Sequence, residues 1–264
     1  MTADDASTPA AIRSIKALTF DIIGTCTDWH SVVSSCLRAH APVNLASTSS
    51  TSASDTASAV NGWASEFAHN WRSAFFTHLL ELHERQQMMS GADVYKITLK
   101  QTMEKLGVSE HEWSDDVIQD LIKSWETASA WNDTAPGLRL LRKKIVLLGL
   151  TNGTTIFTIN TNRRTGMEFD GIINSDIVGA YKPNPKMYQT AMKALGASEG
   201  EIAMVAAHAY DLEAAKKCGF KTIYIRRATE DMDIDDAAIA AKEFDLVVNE
   251  GGLVELARRL GCEV

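Results

Sequence analysis

The stretch Ala17-Leu18-Thr19-Phe20-Asp21-Ile22-Ile23-Gly24-Thr25 limits what this chain can fold into more than any other. An apolar, β-favouring run climbs to a carboxylate, and the backbone then turns through a glycine. In an open parallel sheet, ligands bind beyond the carboxyl ends of the strands, where successive loops diverge and leave a crevice. A carboxylate buried there is costly unless cations and hydrogen-bond donors hold its charge. Taken alone, the stretch reads equally well as a strand ending in an ordinary turn aspartate. The remainder of the chain decides between the two.

After Pro136-Gly137, strand and helix signals alternate. Leu138 to Lys144 reads as a short basic helix. Ile145 to Leu150 is a continuous apolar run, as in a strand buried on both faces, and it ends in a second polar turn, Thr151-Asn152-Gly153. Ile172-Ile173 is a weaker strand signal ahead of Tyr181-Lys182-Pro183-Asn184-Pro185. Met187 to Leu195 predicts a helix closed by Gly196. A strand over Glu201 to Ala207, a helix over Asp211 to Cys218 and a strand over Thr222 to Ile225 follow. Asp245 to Val248 and Val254 to Leu260 give a last strand and helix. Repeated units of this size predict an α/β fold, a doubly wound parallel sheet.

The middle of the chain has a different period. Trp29 to Ala39 reads as the start of a helix. Trp71, Phe75, Leu79 and Leu82 recur every three or four positions within Gly62 to Met89, as on one face of an amphipathic helix. Asp93 to Leu106 and Asp115 to Ser129 behave alike. These patterns divide the chain into a core of residues 11–30 and 132–264 and a helical insert of residues 31–131. Ala46 to Ala59 is almost wholly Ser, Thr and Ala, with Asp55 its only charge, and predicts a surface loop. Met1 to Ala10 predicts a loose tail.

Charge and cysteine usage narrow the setting. The 264 residues carry a formal net charge of -8, which gives no basic footprint for nucleic acid or an anionic membrane surface. No apolar run is long enough to span a bilayer, and Met1 to Thr8 lacks the hydrophobic stretch of a secretory signal. Cys26, Cys36, Cys218 and Cys262 are scattered, without zinc-site spacing or disulfide density, so a reducing, cytoplasmic setting is the expectation.

Four strand ends then offer Asp21 and Thr25, Thr151 and Asn152, Lys182, and His208 with Asp211 to one crevice. With these motifs in order, Phe20-Asp21-Ile22-Ile23-Gly24-Thr25, Leu150-Thr151-Asn152-Gly153, Tyr181 to Tyr188 and Met204 to Leu212, the chain resembles the haloacid dehalogenase superfamily. Within it the resemblance is to the type II (L-2-haloacid) dehalogenases, and it covers nearly the whole chain. It implies a Rossmann-like core with an inserted helical cap, and a small-molecule substrate. Homodimers are common among members.

By that resemblance Asp21 is the nucleophile, forming an ester that water later cleaves. Lys182 matches the lysine that holds the nucleophile's charge. Thr25, Thr151 and Asn152 match positions that bind the substrate carboxylate or steady the nucleophile. Arg72 matches the arginine that captures the departing halide, a task suited to a permanent cation. Tyr188 matches a tyrosine near the lysine and is counted among the expected substrate contacts. Ile23 and Ala207 are departures: phosphatases of the superfamily have a second aspartate two residues after the nucleophile and an acidic metal loop. Isoleucine donates no proton, whereas a departing halide needs none. The site therefore reads as metal-free and cofactor-free. Ala206 and His208 stand where better-known type II enzymes carry serine and asparagine, and His208 beside Asp211 suits steering or deprotonating water.

Several other readings carry less. His78 and His83 lack metal-ligand spacing on a helix face. Trp63, Trp71, Trp113, Trp125 and Trp131 read chiefly as packing, and Cys26 as a small buried residue. The expected reaction is hydrolytic dehalogenation of a short 2-haloacid. The alternatives are a related hydrolase opening an epoxide or another carbon electrophile, a phosphatase, and a catalytically silent binding module.

Overall fold

The computed structural model describes residues 12, 14–42 and 53–262; the tail at Met1 to Ala10 and residues 46–52 of the Ser/Thr-rich stretch lie outside them. The chain separates into two compact units, one formed by residues up to Asp28 and from Ala130 onward, the other by Trp29–Ser129.

The first unit is built on a six-stranded sheet. Its strands are β1 (Ala17–Phe20), β4 (Val146–Thr151), β5 (Gly171–Asn174), β6 (Ile202–Ala206), β7 (Lys221–Ile225) and β8 (Leu246–Val248), in the order β5-β4-β1-β6-β7-β8. Two short strands, β2 (Thr27–Asp28) and β3 (Ser129–Ala130), mark where the chain leaves and re-enters this unit. All main-sheet pairings are parallel; Ala17 aligns with Val146 on one side and Ile202 on the other. The strand order reverses on either side of β1, so its carboxyl end lies at the switch point where such sheets bind ligands.

Period-two alternation sends successive side chains to opposite faces. Leu18, Phe20, Leu147, Val205 and Ile223 pack on one face with Leu138, Leu141, Leu253 and Leu256. Those four leucines belong to the helices α5 (Thr134–Leu141) and α11 (Gly252–Arg259). Ala17, Leu148, Leu150, Met204 and Tyr224 pack on the other face with Met187, Tyr188, Leu212 and Ala215, carried by α8 (Pro185–Leu195) and α9 (Ala209–Lys217). The remaining helices of this unit are α6 (Thr155–Thr165), α7 (Ser175–Val178) and α10 (Asp236–Ala241).

The second unit holds α1 (Trp29–Ala39), α2 (Ala53–Glu84), α3 (Gly91–Lys105) and α4 (Asp115–Glu126). An aromatic stack runs through it: Trp29 on Trp125 at 5.0 Å, Tyr95 on Trp125 at 4.9 Å and Phe75 on Tyr95 at 4.3 Å between ring centroids. Trp71 is also fully buried, its indole N–H donating to Tyr95 O and Thr98 Oγ1.

Three local expectations change. The predicted surface loop is helix from Ala53 onward: alanine is the best helix former, and a helix already nucleated over its packed half extends at one hydrogen bond per residue. The basic helix begins at Thr134 rather than Leu138 and stops before Lys143 and Lys144. Pro136 fits the first turn of that helix, and a Cβ on Gly137 would lie 2.5 Å from the Leu253 backbone, so glycine here permits close packing of α5 on α11. The sequence patterns predict none of α6, α7 and α10. The first is rich in Thr and Asn and buries only Thr158 and Thr161; the other two have four and six residues.

Candidate active site

The site grows from the end of β1. Asp21 follows the strand directly, and its backbone N–H donates to Val205 O of β6 at 3.0 Å. Sheet pairing thus fixes where the carboxylate begins. The following turn passes through Gly24 at φ +90°, a region that favours glycine. Thr25 then folds back, its hydroxyl donating to Asp21 Oδ2 at 2.7 Å and accepting the Ala207 N–H at 2.8 Å.

Lys182 enters from the loop before α8. Its Nζ lies 2.7 Å from Asp21 Oδ1 and 2.6 Å from Asp211 Oδ2. Asn152, just past β4, holds the lysine's backbone from both sides: its Oδ1 accepts the Lys182 N–H at 2.6 Å and its Nδ2 donates to Lys182 O at 3.1 Å. Asp211, in the first turn of α9, has its second oxygen filled by the Tyr188 hydroxyl at 2.6 Å.

His208 lies just past β6. Its Nδ1 is 3.1 Å from Asp21 Oδ2 and its Nε2 is 2.7 Å from Glu230 Oε2. The ring therefore bridges two carboxylates, and neither is Asp211, the partner expected from sequence. Three residues on in the same helical turn, Asp211 instead addresses Lys182 and Tyr188.

Asp21, Lys182, His208, Asp211, Thr25 and Tyr188 thus form one connected cluster. Tyr188 was expected among the substrate contacts, but it is fully buried and its hydroxyl is committed to Asp211; it stands behind the lysine and orients its second carboxylate. Thr25 is also fully buried and serves Asp21 directly. The Thr151 hydroxyl accepts the Gly153 N–H at 3.1 Å, stiffening the turn past β4. Arg72 belongs to α2 in the helical unit, its guanidinium 4.7 Å from the ring centroids of both Trp29 and Phe76. Cys26 is buried, with its thiol against Asp21 O and its pKa pushed up by desolvation.

Sequence reasoning missed the loop after β7. Arg227 donates from Nε to Thr25 O at 3.0 Å and clamps Asp133 with two further bonds. Glu230 reaches His208, and Asp231 accepts the Ala209 N–H at the start of α9 at 2.7 Å. Trp131 adds an indole N–H to Gly24 O at 2.9 Å. The strand-end rule that points to Asp21 also marks Arg227, Glu230 and Asp231, which follow the apolar run Thr222 to Ile225, but it does not say which side chains they meet.

Electrostatics follow from burial and pairing. Burial alone would push the Asp21 carboxyl up, but Lys182 and His208 together hold it well below the usual carboxylate range. The two carboxylates share one ammonium: Asp21, with three donors, is the firmly ionised one, whereas desolvation pushes Asp211 up despite Lys182. Burial works against charge on Lys182, yet Asp21 and Asp211 raise its pKa. For His208 burial favours the neutral ring, but hydrogen bonds to Asp21 and Glu230 and their charges outweigh it and push the imidazolium pKa up to about 10.

A group whose folded pKa is raised stabilises fully below its unfolded value and loses that contribution as pH rises through the folded one. For His208 the window runs from 6.5 to about 10. We expect the melting temperature of the unaltered protein to exceed that of His208→Gln most below pH 6.5, with the gap closing as pH approaches 10. Thermal melts of both proteins at intervals across that range check this.

The fold and this strand-end aspartate define a class. The chain belongs to the haloacid dehalogenase-like hydrolases, whose family model matches residues 15–219. Among individual proteins it is similar to the (S)-2-haloacid dehalogenase of Pseudomonas putida, 27% identical over 231 residues that cover 86% of this chain and 91% of the relative. The crystal structure of an L-2-haloacid dehalogenase superposes with a TM-score of 0.75 at 25% identity, covering 94% of this chain and 100% of the other. That of the Xanthobacter autotrophicus L-2-haloacid dehalogenase with chloropropionic acid covalently bound is 20% identical, covers 92% of this chain and 97% of its own, and shares the fold at a TM-score of 0.71.

Magnesium is implied for the phosphatases of this superfamily, and the donor set here does not fit it. Magnesium is held by carboxylates together with substrate oxygens. Asp21 is ringed by Lys182, His208 and Thr25, and both Asp211 oxygens are engaged by Lys182 and Tyr188. Ile23 and Ala207 supply no ligand oxygen from their side chains. A dication beside Asp21 would sit against two cationic side chains.

Proposed function

We propose that the protein hydrolyses the carbon–halide bond of a short 2-haloacid through an ester of Asp21. One observation carries the reading: an aspartate kept ionised by a lysine and a histidine, with isoleucine where a phosphatase would place its general acid. Such a site suits a leaving group that departs without a proton. The Pseudomonas putida relative is an (S)-2-haloacid dehalogenase, and the Xanthobacter autotrophicus enzyme holds chloropropionic acid covalently; both support the same reading here.

In this scheme an Asp21 oxygen attacks the halogen-bearing α-carbon and inverts it while the halide leaves with the bonding pair. Oδ1 carries one donor and Oδ2 two, so Oδ1 has the freer lone pairs. Thr151 and Asn152 position the substrate carboxylate, and Lys182 and Thr25 hold the nucleophile. Water then attacks the carbonyl carbon of the ester and releases the 2-hydroxyacid. His208 suits the water better than Asp211, because its side chain keeps a 7% exposed edge whereas that of Asp211 keeps none. A reducing, cytoplasmic setting accords with four free cysteines.

Halide release from fluoro-, chloro- and bromoacetate and from both 2-chloropropionate enantiomers tests the substrate class. Single turnover in ¹⁸O-water tests the route. The expected result is label in Asp21 with unlabelled first-turnover product; label confined to product would remove the ester.

A further inference from the structure

The mechanism above leaves a buried carboxylate unused. The Glu230 side chain is 3% exposed, and its carboxylate sits 2.7 Å from His208 Nε2. Room for it is made by the nucleophile turn: a Cβ on Gly24 would lie 2.6 Å from that carboxyl group. The loop is fixed on both sides, by Arg227 on Thr25 O and by Asp231 on the Ala209 N–H. An acidic side chain is thus buried at some cost and aimed at the one ring nitrogen that faces away from Asp21.

We propose that Glu230 is the positioning residue for hydrolysis of the Asp21 ester, holding the His208 ring so that Nδ1 surrenders its proton to solvent once Asp21 is esterified and then takes one from the attacking water. This rests on the ester reading and adds an order of events to it. In the resting site His208 lies between two carboxylates, with Asp231 nearby and Lys182 and Asp211 beyond Asp21. That surplus of negative charge keeps the ring protonated, and as an imidazolium it cannot act as a base. Alkylation converts Asp21 to a neutral ester and expels halide. One of the two facing charges is gone, and the ring releases its Nδ1 proton to bulk water. Nε2–H remains on Glu230, which fixes the tautomer and leaves the Nδ1 lone pair towards the ester. Water loses one proton to Nδ1 as its oxygen adds to the carbonyl carbon; collapse then breaks the bond to the alkyl oxygen, which takes the second water proton from the new hydroxyl, so that the 2-hydroxyacid leaves and the ionised aspartate and the imidazolium are regenerated. Over the cycle, haloacid and water give hydroxyacid, halide and one proton, and that proton leaves with the first half-reaction.

The test uses Glu230→Gln, which keeps shape and removes charge, with (S)-2-chloropropionate. The expected result is a first-turnover halide burst within a few-fold of the unaltered protein, turnover lower by about 10²-fold or more, and an enzyme carrying one 1-carboxyethyl ester group in intact-mass spectra. Without the Glu230 charge the imidazolium is less favoured, so the acid limb of turnover moves to lower pH. Glu230→Asp, which restores charge, recovers part of the rate. Parallel loss of burst and turnover with no adduct is what a purely structural role gives, and it would overturn the proposal. In the unaltered protein a pH-indicator dye should report one proton released with the halide burst; a proton appearing only with hydroxyacid would overturn it as well. Absence of both halide and adduct from the unaltered protein would sink the carbon–halide reading, and the proposal with it.

Discussion

Asp21→Asn is expected to lower halide release by about 10⁴-fold or more, the scale seen when an attacking residue is removed from a covalent mechanism. The amide keeps the shape of the side chain but lacks the charge that Lys182 and His208 are arranged to sustain. Its nitrogen would also face one of three donors that now address a carboxylate. Lys182 retains Asp211 and His208 retains Glu230, so the variant should fold. Steady-state halide release and intact mass after exposure to bromoacetate check this together. Turnover near the unaltered rate, or an adduct on the variant, would place the attacking group elsewhere.

Lys182→Met is expected to damage both stability and chemistry. Removing one partner from a buried ion pair costs about 3–5 kcal/mol, because the remaining charge is stranded. Here one ammonium serves two carboxylates, and its side chain is 1% exposed. In the variant both carboxyl groups should titrate above their unfolded values. A raised carboxyl pKa stabilises as pH falls through it, so the variant should gain stability on mild acidification, where the unaltered protein gains none from Asp21. Activity should run the opposite way, since a protonated Asp21 cannot attack. Denaturant melts and halide release at matched pH values measure both trends. Lys182→Arg should not rescue either property, because a planar fork does not substitute for a compact ammonium at 2.7 and 2.6 Å from two oxygens.

Much of the site was legible because strand ends are. Asp21, Asn152 and His208 each follow an apolar run whose length and composition announce a buried strand, and a parallel sheet brings such ends to one edge. Lys182 and Asp211 were reached through motif order. Glu230 was not, and the reason is physical. It sits in a loop without apolar period, and its pairing with His208 depends on a missing Cβ at Gly24, far away in sequence. No local pattern encodes that contact. The partner of His208 differs from the expectation for a related reason: adjacency in sequence suggests Asp211, whereas the first turn of α9 sends the two side chains to different neighbours.

Helices were read best where they bury an apolar stripe. Trp71, Phe75, Leu79 and Leu82 are all buried as their spacing implied. α6 has no such stripe and is held by polar bonds instead: Thr154 caps it, Asn174 donates to Thr158 Oγ1 at 2.7 Å, and Asp176 accepts from Thr155. The start of α2 is mostly exposed, so its sequence carries no apolar stripe to mark it as helix.

The position of β1 at the middle of the sheet has a consequence for synthesis on the ribosome. Its flanking strands begin at Val146 and Ile202, so a nascent chain carries the segment destined to hold Asp21 long before either neighbour exists. The helical unit, encoded in between, can gather its aromatic side chains first. The reactive end of the molecule is thus assembled late, by strands arriving on both sides of one that has been waiting for them.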